Sequence, residues 1–544
     1  MAVLPVHAQP APTPTRSAPS ETGLYTIAGT VVNTLSGEPI RHATVAALSE
    51  EDSHTVASVE SGSDGRFALP NLPAAKYQLT ASKRGFRTAF YDEHDEYNSA
   101  IVAGPGQDTG SLVFRMVPGS VLKGVVTTDG GDPVENARVM LFLKPHDGKR
   151  GSHVDQSEST ITDDTGAYEF NNLAAGDYLL AVIAEPWYAL RHSSNRANRN
   201  SARAAQPPGA PDPAAALDVA YPITYFDSTT DEASANHIVL AGGSRDEANI
   251  ALHATPALHI QVDTPRKPDG SIARAELRQT VFGAVVGAES AGFLDSMQTG
   301  TTEFTGVAPG HYELAQGDPP RIVEMDATAN QQLDPSAGAA TVSIHGSLKY
   351  TAGSPFTGDG NVVLESLDGS HRQNPIQTPC IGGAFNFPSV SPGEWQILAE
   401  SAGRQLPIAS TTVDGRMRAG NLIPVQDRPL SIAVAVSQGS TRLEGFARRN
   451  GKGVAGAMVV LVPRDLAALE SLGRRDQSDS DGSFSLRDVI PGQYTLVAIE
   501  AGWALDWAEP QVLARYLPGG IPVTVSDRPG KLVTLHAPVP VQTP

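Results

Sequence analysis

Apolar and polar residues alternate in a segment that recurs five times along the chain, first as "SDGRFALPNLPAAKYQLTA" at 63–81. An aromatic residue marks the second half of each copy: Tyr77, Tyr178, Tyr312, Trp395 and Tyr494. Alternation of period two on both sides of a break predicts two strands, each with one buried face. We therefore expect a strand, a turn and a returning strand in every copy, arranged as a hairpin.

A glycine lies two residues before the aromatic residue in four copies, at Gly176, Gly310, Gly393 and Gly492, and the first copy has Ala75 instead. Because glycine has no Cβ, it adopts positive φ without steric cost. We expect these glycines to form the turn between the two strands, and we expect a different turn at Ala75.

A second pattern precedes the first and has the form strand, Gly-rich turn and strand. It predicts another hairpin-like unit. Clear copies are at 29–48, 123–142 and 443–463, and weaker ones at 259–279 and 344–366. Further strands follow the aromatic residue at 90–116, 221–252 and 514–537. Each repeat thus holds about seven short strands, the number in a small Greek-key sandwich.

The fold class expected from these repeats is all-β, a string of about five Greek-key, immunoglobulin-like or transthyretin-like β-sandwiches. The segment 191–217 lacks periodicity and is rich in Pro, Ala, Asn and Ser, so we expect a disordered insertion there. The expected divisions are a leader remnant and tether at 1–23, repeat 1 at 24–117, repeat 2 at 118–254, degenerate repeats 3 and 4 at 255–341 and 342–437, and repeat 5 at 438–544.

Composition agrees with a turn-rich β protein, since the chain of 544 residues contains 52 Gly, 42 Pro and only 6% aromatic residues. The formal net charge of -19 argues against nucleic acid as a partner, because that binding depends on Lys and Arg neutralising phosphates. No apolar run approaches the roughly 18 residues of a transmembrane helix. The single cysteine, Cys380, excludes an internal disulfide and is expected to be a buried apolar residue.

The N-terminal sequence "MAVLPVHAQ" resembles the end of a signal peptide with a cleavage site before Gln9. It lacks a basic start and a full apolar core, so an ordinary disordered tail is the alternative. We expect a truncated or misassigned leader, and hence a secreted, periplasmic or cell-envelope protein.

The succession Gly-x-Val, Gly-x-Pro-(Ile/Val)-x-x-Ala-x-Val and Asp-Gly-x-Phe-x-Leu-x-x-Leu-x-x-Gly-x-Tyr-x-Leu resembles the carboxypeptidase regulatory-like repeat. This is a transthyretin-like sandwich found in bacterial repeat proteins and related to collagen-adhesin B-type repeats. Residues 25–117, 120–186 and 440–540 match well, and 256–341 and 343–437 match in their second halves. The resemblance implies a secreted, accessory sandwich that binds protein or carbohydrate and has no catalytic activity.

Motifs of catalysis are missing from the sequence. It contains no His-x-x-Glu, as a zinc carboxypeptidase would need, and no Gly-x-Ser-x-Gly of a serine hydrolase. We therefore expect a protein that is not an enzyme, with no catalytic residues and no cofactor.

Two acidic features are candidates for metal binding. Turns such as "SDGRF", "DDTGAY" and "DSDGSF" have the start of a calcium loop, but Asp-Gly also suits a tight turn for backbone reasons. The segment "YDEHDEY" at 91–97 could hold a divalent cation if it is a loop, and if it is a strand, alternation would place Asp92, His94 and Glu96 on one face. The alternatives are a structural turn and a solvated acidic edge, respectively.

Aromatic pairs are the candidates for ligand binding. Sugar rings stack on exposed aromatic side chains. The sequence offers two clusters of candidates for this role, Trp187 with Tyr188 and Trp503 with Trp507. Packing between sandwiches is the alternative for both. The predicted function is a non-catalytic binding or structural spacer module with an unidentified protein or polysaccharide partner, and the second possibility is a carbohydrate-binding accessory protein.

Overall fold

The computed structural model describes residues 24–144, 154–189, 217–264, 275–290, 300–317, 320–334, 341–351, 353–367, 375–437, 441–526 and 532–544. The predicted leader at 1–23, and the predicted insertion at 191–217 except Leu217, lie outside these residues. In the part of the chain described, the strands form five β-sandwiches, here named domains 1 to 5 in chain order, and the predicted all-β fold class is confirmed.

Domain 1 has two facing sheets. Its strands are β1 (Tyr25–Asn33), β2 (Thr44–Ser49), β3 (Thr55–Glu60), β4 (Arg66–Leu72), β5 (Ala75–Ser82), β6 (Ala89–Phe90), β7 (Ile101–Ala103) and β8 (Leu112–Met116). One sheet has the order β4-β1-β8 and the other β3-β2-β5-β6, with β7 also on β5. The first strand runs antiparallel to β4 and parallel to the last strand, β8.

Domain 2 repeats this topology. Its strands are β9 (Ser120–Thr128), β10 (Arg138–Leu143), β11 (Asp155–Ile161), β12 (Ala167–Leu173), β13 (Gly176–Ile183), β14 (Val219–Ala220), β15 (Thr224–Tyr225), β16 (Ile238–Leu240), β17 (Arg245–Glu247) and β18 (Ile250–Leu252). β9 lies between β12 and the parallel strands β17 and β18, and the other sheet has the order β11-β10-β13-β15. A 3-10 turn forms at Glu232–Ser234.

Domain 3 is the smallest sandwich, and a two-residue strand at its start pairs with β14 of domain 2. Its strands are β19 (Thr255–Pro256), β20 (Leu258–Asp263), β21 (Ala275–Val281), β22 (Ala284–Ser290), β23 (Thr301–Val307), β24 (Gly310–Gly317), β25 (Pro320–Ala327) and β26 (Gln331–Leu333). The sheet orders are β23-β20-β26 and β22-β21-β24-β25.

Domain 4 adds a hairpin to one sheet. Its strands are β27 (Val342–Tyr350), β28 (Gly360–Ser366), β29 (Ile376–Cys380), β30 (Ala384–Val390), β31 (Gly393–Ser401), β32 (Arg404–Gln405), β33 (Ile408–Val413), β34 (Arg416–Ala419), β35 (Leu422–Val425) and β36 (Leu430–Val436). The sheets are β30-β27-β36-β33-β34 and β29-β28-β31-β32, with β35 also on β31. Cys380 is 1% exposed in this core, which confirms the expected buried residue.

In domain 5 the last strand pairs with strands of both faces and joins them into one nine-stranded sheet, and several helical turns lie between its strands. The strands are β37 (Thr441–Arg449), β38 (Lys452–Gly453), β39 (Met458–Pro463), β40 (Arg474–Gln477), β41 (Ser483–Val489), β42 (Gly492–Ile499), β43 (Ile521–Val525), β44 (Leu532–Thr534) and β45 (Val539–Gln542). The 3-10 turns are Leu466–Ala468, Gly502–Ala504 and Leu517–Gly519, and the single α-helical turns are Leu469–Leu472 and Pro510–Leu513.

The recurrent two-strand segment is not a hairpin, so that prediction is wrong. In domain 1 β4 pairs with β1, whereas β5 pairs with β2 in the opposite sheet. The connection therefore crosses from one sheet to the other, and Phe67 and Leu69 meet Tyr77 and Leu79 across one core. The earlier pattern is a crossing of the same kind, because β1 and β2 also belong to different sheets.

The predicted turn glycines differ among the domains. Gly310 and Gly393 have positive φ values of 159° and 149°, whereas Gly176 and Gly492 do not have a positive φ. The left-handed residues are Asn71, Asn172 and Asp488, with φ of 60°, 61° and 53°, where a bulge shifts the strand register. The glycine instead makes room for the aromatic ring, since a Cβ on Gly492 would lie 3.1 Å from the ring of Tyr494.

The recurrent aromatic residue closes the sheet crossing in every domain. Its polar hydrogen is donated to the carbonyl oxygen four residues earlier, which ties the strand to the connection that precedes it. The hydrogen bonds are Tyr77 to Pro73 at 2.9 Å, Tyr178 to Ala174 at 3.1 Å, Tyr312 to Ala308 at 2.9 Å, Trp395 to Ser391 at 3.0 Å and Tyr494 to Ile490 at 2.7 Å. One residue thus fills the core and satisfies a carbonyl, and this hydrogen bond is buried in domains 3 and 5 and partly buried in the other three.

Neighbouring domains are in contact. Arg87 of domain 1 donates to the carbonyl of Asn172 in domain 2, and Phe142 and Tyr225 of domain 2 pack with Phe282 of domain 3. Ala419 of domain 4 packs against the core of domain 5. No helix in the described residues has the length and apolar character needed to span a membrane.

Candidate functional site at the contact between domains 1 and 5

Two segments that are far apart in sequence meet where domain 1 contacts domain 5. The His94 ring stacks on the Trp503 ring with centroids 5.5 Å apart and planes 13° apart. The ring of Tyr97 contacts the same indole, with ring centroids 5.4 Å apart. We call this region, formed by Lys76 and residues 92–102 of domain 1 with residues 475–483, Trp503 and Trp507 of domain 5, the 1–5 contact.

The acidic segment 91–97 is a tight turn and not a strand. Asp92 and Asp95 have positive φ values of 54° and 53°, which short polar residues adopt more easily than bulky ones. The backbones of His94 and Tyr97 exchange two hydrogen bonds of 2.8 and 2.9 Å. This turn directs both rings towards domain 5, so the segment is the loop of the two alternatives, and Asp92, His94 and Glu96 do not share one face of a strand.

Gln477 at the end of β40 is the centre of a hydrogen-bond network across the contact. Its side chain is 1% exposed, and its Nε2 donates to the carbonyl oxygen of Asp92 at 2.5 Å and to Ser99 Oγ at 2.9 Å. Its Oε1 lies 3.1 Å from His94 Nδ1. Ser99 Oγ donates in turn to the carbonyl of Ser478. Both functional ends of the buried amide are therefore satisfied by domain 1.

Asp479 is the second anchor of the 1–5 contact. Its Oδ1 accepts the backbone N–H of Ala100 at 2.9 Å, and its Oδ2 accepts Lys76 Nζ at 2.6 Å. Backbone bonding continues beside it, because the N–H of Ser480 donates to the carbonyl of Ala100 and Ser480 Oγ accepts the N–H of Val102. Burial alone would lower the pKa of Lys76, but the charge and hydrogen bond of Asp479, together with the charges of Glu50 and Asp481, more than offset it and raise that pKa.

Arg475 joins the aromatic residues of the contact through cation–π packing. Its guanidinium carbon lies 4.1 Å from the centroid of Trp507, 5.2 Å from Tyr97 and 5.6 Å from Trp503. Its side chain is 4% exposed and forms an ion pair with Asp95 of domain 1 at 3.4 Å. A desolvated guanidinium over several rings is more strongly held than one at an exposed site.

A polar cavity of about 500 Å³ lies beside the contact. Domain 1 contributes Glu50 and Tyr97, and domain 5 contributes Arg474 and Asp476 among other residues. Burial raises the pKa of Asp476 to about 7, although its carboxylate accepts the backbone N–H groups of Gln477 and Ser485. The cavity wall therefore holds a carboxyl group that is partly protonated near neutral pH.

The candidate metal ligands take part in these protein contacts. Asp92 Oδ2 accepts from Gln477 and Ser99, His94 stacks on Trp503, and Glu96 is exposed. Searching the described residues finds no group of three or more His, Cys, Asp or Glu side chains placed to hold a metal ion. Metal binding by Asp92, His94 and Glu96 stays a prediction.

The Asp-Gly turns use their carboxylates to hold the backbone. Asp163 Oδ1 accepts the N–H groups of Thr165 and Ala167, each at 2.9 Å. The hydroxyl of Thr165 and these N–H groups lower the pKa of Asp163. Asp481 likewise accepts the N–H of Ser483. These contacts are the ones expected of a structural turn, and calcium binding stays a prediction.

The four candidate ligand-binding aromatic residues have different environments. Trp507 is 7% exposed, and Trp503 is half-buried with its Nε1 donating to the carbonyl of Gly456. Trp187 is 80% exposed and packs edge to face with Tyr188, with centroids 5.7 Å apart. Trp503 therefore packs between sandwiches and Trp507 packs within domain 5, whereas most of the Trp187 side chain in domain 2 is exposed.

Sequence reasoning did not find Arg475, Gln477 or Lys76. The strand β40 reads "RRDQ", and a strand without apolar residues is ordinarily interpreted as a solvated edge. Its residues Arg475 and Gln477 are nevertheless buried. The one signal available was that this strand carries two arginines where the equivalent strands of domains 1 and 2, "TVASVE" and "DQSESTI", have none.

The repeated sandwich topology and the 1–5 contact define a multidomain β-sandwich repeat protein. Residues 26–116 and 121–201 match the model of the carboxypeptidase regulatory-like domain. Domains 1 and 2 are therefore similar to that family, and the resemblance seen in the repeated motifs is confirmed.

Comparison with solved structures finds similar chains at low identity. The Bacillus anthracis TIE protein is 9% identical, with a TM-score of 0.18, and the match covers 97% of this chain and 76% of that one. Two B repeat units of the collagen binding protein of Staphylococcus aureus are 10% identical, with a TM-score of 0.13 and coverage of 76% and 100%. The shaft pilin SpaA from Lactobacillus rhamnosus GG is 9% identical, with a TM-score of 0.19 and coverage of 43% and 98%. No curated protein matches the chain.

Proposed function

We propose that this protein is an exported, non-catalytic structural repeat protein whose first and last sandwiches are held together, so that its five domains keep a fixed arrangement. The observation that carries the proposal is the 1–5 contact. The side chains of Lys76, Gln477 and Arg475 each bind a group of the other domain. A flexible spacer would have no need of such a contact between its ends.

The regulatory-like domains in the N-terminal part support a role without catalysis, because such domains are accessory sandwiches. The strongly polar residues at the 1–5 contact form ion pairs and hydrogen bonds with each other, which is the usual use of buried charges in structure. Export is supported by the leader-like sequence before Gln9. Intact-mass measurement on exported protein tests it, and the expected result is a chain that begins at Gln9.

Small-angle X-ray scattering of the full chain tests the fixed arrangement. Lys76→Asp places two carboxylates at the 2.6 Å contact with Asp479, so we expect a larger radius of gyration than in the wild type. Lys83→Asp is the matched control, since it makes the same charge change elsewhere in domain 1 and should leave the radius unchanged. A wild-type chain as extended as the Lys76→Asp variant would contradict the proposal.

Carbohydrate binding is a second candidate function, favoured by the exposed ring of Trp187 beside Tyr188. An aromatic face of this kind suits the apolar face of a sugar ring. A glycan array probed with the full chain tests it, with Trp187→Ala expected to lose the signal. Val239→Ala is the control, because Val239 is also in domain 2 and is 75% exposed. Absence of any bound glycan would reject this candidate.

A further inference from the structure

The 1–5 contact joins two different surfaces of one chain. Domain 1 contributes Lys76 and the turn that carries His94, and domain 5 contributes Gln477, Asp479 and Trp503. A contact between two unlike surfaces is satisfied equally well by surfaces on the same chain or on two chains. Every chain therefore carries both halves of a complete binding site for another copy of itself.

The five domains form two groups, domains 1 to 3 and domains 4 and 5, and the two groups meet at this contact. Domains 1 and 2 are hydrogen-bonded through Arg87, and domains 2 and 3 share an apolar cluster around Phe282. Domains 4 and 5 are packed together through Ala409 and Ala419. Domains 3 and 4 have separate hydrophobic cores. Separation at the 1–5 contact would thus leave domains 1 to 3 and domains 4 and 5 each with their own packing.

The chemistry of the contact suits reversible separation. Its bonds are made by polar groups, including Lys76 with Asp479, Gln477 with Ser99, and Ser480 with the backbone of Ala100. Water can satisfy these groups when the surfaces part, and the stacked rings that separation uncovers are those of His94, Tyr97 and Trp503. Interfaces between domains of one chain commonly resemble transient protein–protein interfaces in this respect.

We propose that two copies of this chain exchange the 1–5 contact, so that domain 1 of each copy binds domain 5 of the other and a closed dimer with two such contacts results. The atoms that bind are the same in the closed monomer and in the dimer. Tethering on one chain gives a high effective concentration, so the monomer predominates in dilute solution and the dimer increases with protein concentration. The inference rests on the 1–5 contact, which also carries the proposed structural role, and it does not depend on export.

A charge exchange at Lys76 and Asp479 distinguishes contacts within a chain from contacts between chains. The Lys76→Asp chain has two carboxylates at its own contact, and the Asp479→Lys chain has two ammonium groups, so neither can close on itself. In an equimolar mixture the two variants can form a mixed dimer. One of its contacts pairs the two substituted side chains, and the other pairs the unchanged Lys76 of one chain with the unchanged Asp479 of the other. Both contacts of the mixed dimer are therefore between opposite charges.

Light scattering coupled to size exclusion measures the result on the full-length chains. We expect each variant alone to elute as an open monomer and the mixture to form a one-to-one dimer. The chain carrying both substitutions is the control, and it should recover the closed monomer of the wild type. A mixture that remains monomeric, while the double variant closes, would overturn the proposal.

A second measurement needs no substitution and guards against misfolded variants. Tagged and untagged wild-type chains are mixed at high concentration, diluted, and captured through the tag. We expect untagged chain to be captured with the tagged chain, in an amount that rises with the concentration of mixing. Capture of tagged chain alone at every concentration would overturn the proposal even if the variants do not fold.

Discussion

At the scale of single residues, the recurrent aromatic position does two tasks with one side chain. Tyr494 fills the core of domain 5 and donates its hydroxyl to the carbonyl of Ile490 at 2.7 Å. The sequence predicted the first task from the alternation. It did not predict the second, because a carbonyl four residues earlier becomes buried only when the chain crosses between sheets.

Tyr494→Phe keeps the ring and leaves the carbonyl of Ile490 without its donor. Removing one partner of a buried hydrogen bond costs about 1–2 kcal/mol. We expect hydrogen exchange of the domain 5 amides to accelerate by an amount that corresponds to this loss. Tyr25→Phe, at the start of β1, is the control and should change stability by less than about 0.5 kcal/mol. Equal exchange in domain 5 of the Tyr494→Phe and wild-type chains would contradict the role of the hydroxyl.

Asp476 should make the stability of domain 5 depend on pH. Burial raises its pKa from 3.8 to about 7, so between these values the folded domain holds a proton that the unfolded chain has lost. The free energy of unfolding therefore decreases as pH rises from about 4 to about 7, by at most about 4 kcal/mol, and changes no further above that range.

Denaturant unfolding at pH 5 and pH 8 measures this dependence on the full chain. Asp476→Asn has no proton to lose, so we expect the difference in stability between the two pH values to become smaller in this variant than in the wild type. If both chains lose the same stability between pH 5 and pH 8, the dependence belongs to other groups.

At the scale of elements, the alternation located the strands but not their partners. Phe67 and Tyr77 are both buried whether their strands pair side by side or face each other across a core. Only the length of the connection and the bulge at Asn71 distinguish strands paired in one sheet from strands that face each other across a core. In the sequence the bulge is one extra residue between Leu69 and Leu72. Side-chain periodicity carries no information on which sheet a strand joins.

The turn between β21 and β22 is an element whose local preference conflicts with its packing. Phe282 and Gly283 have φ values of 48° and 78°, and positive φ at both positions is a requirement that Asn-Gly meets best. Phe282 is retained there because its ring packs edge to face on Phe142 at 5.1 Å and on Tyr225 at 5.2 Å. The residue is the anchor of domain 3 on domain 2.

Phe282→Asn should therefore weaken the contact between domains 2 and 3, although it relieves the backbone. The two aromatic pairs contribute about 0.5–1.5 kcal/mol each beyond their area. A bulky residue at positive φ costs about 1–3 kcal/mol. We expect faster hydrogen exchange at the ends of β15 and β21, with the strands themselves still formed. Slower exchange there in the variant would show that strain outweighs the packing.

At the scale of the whole molecule, the sequence predicted the five sandwiches and missed the contact between the first and the last. The metal candidate at 91–97 and the aromatic pair Trp503 and Trp507 were both singled out in the sequence, yet nothing in either one indicated the other as its partner. His94 and Trp503 are separated by some four hundred residues. Single-sequence patterns report local periodicity, and a contact of such separation depends on the relative placement of all five domains.

Cutting the chain between domains 3 and 4 tests how strongly the 1–5 contact holds. A protease site inserted within residues 335–340 allows cleavage after folding, and we expect the two fragments to elute together because Gln477 and Asp479 still bind domain 1. The same cut in the Asp479→Lys chain should release two separate fragments. Separation of the fragments from the otherwise unchanged chain would show that the contact depends on the covalent connection.

The parallel pairing of first and last strands has a mechanical consequence. In domain 1 β1 and β8 lie side by side and point the same way, with Gly29 opposite Leu112 and Asn33 opposite Met116. Tension on the two ends of such a domain slides these strands past one another and loads all their hydrogen bonds at once, whereas antiparallel end strands would be peeled apart one bond at a time. Each sandwich with this pairing is therefore built to resist pulling along the chain.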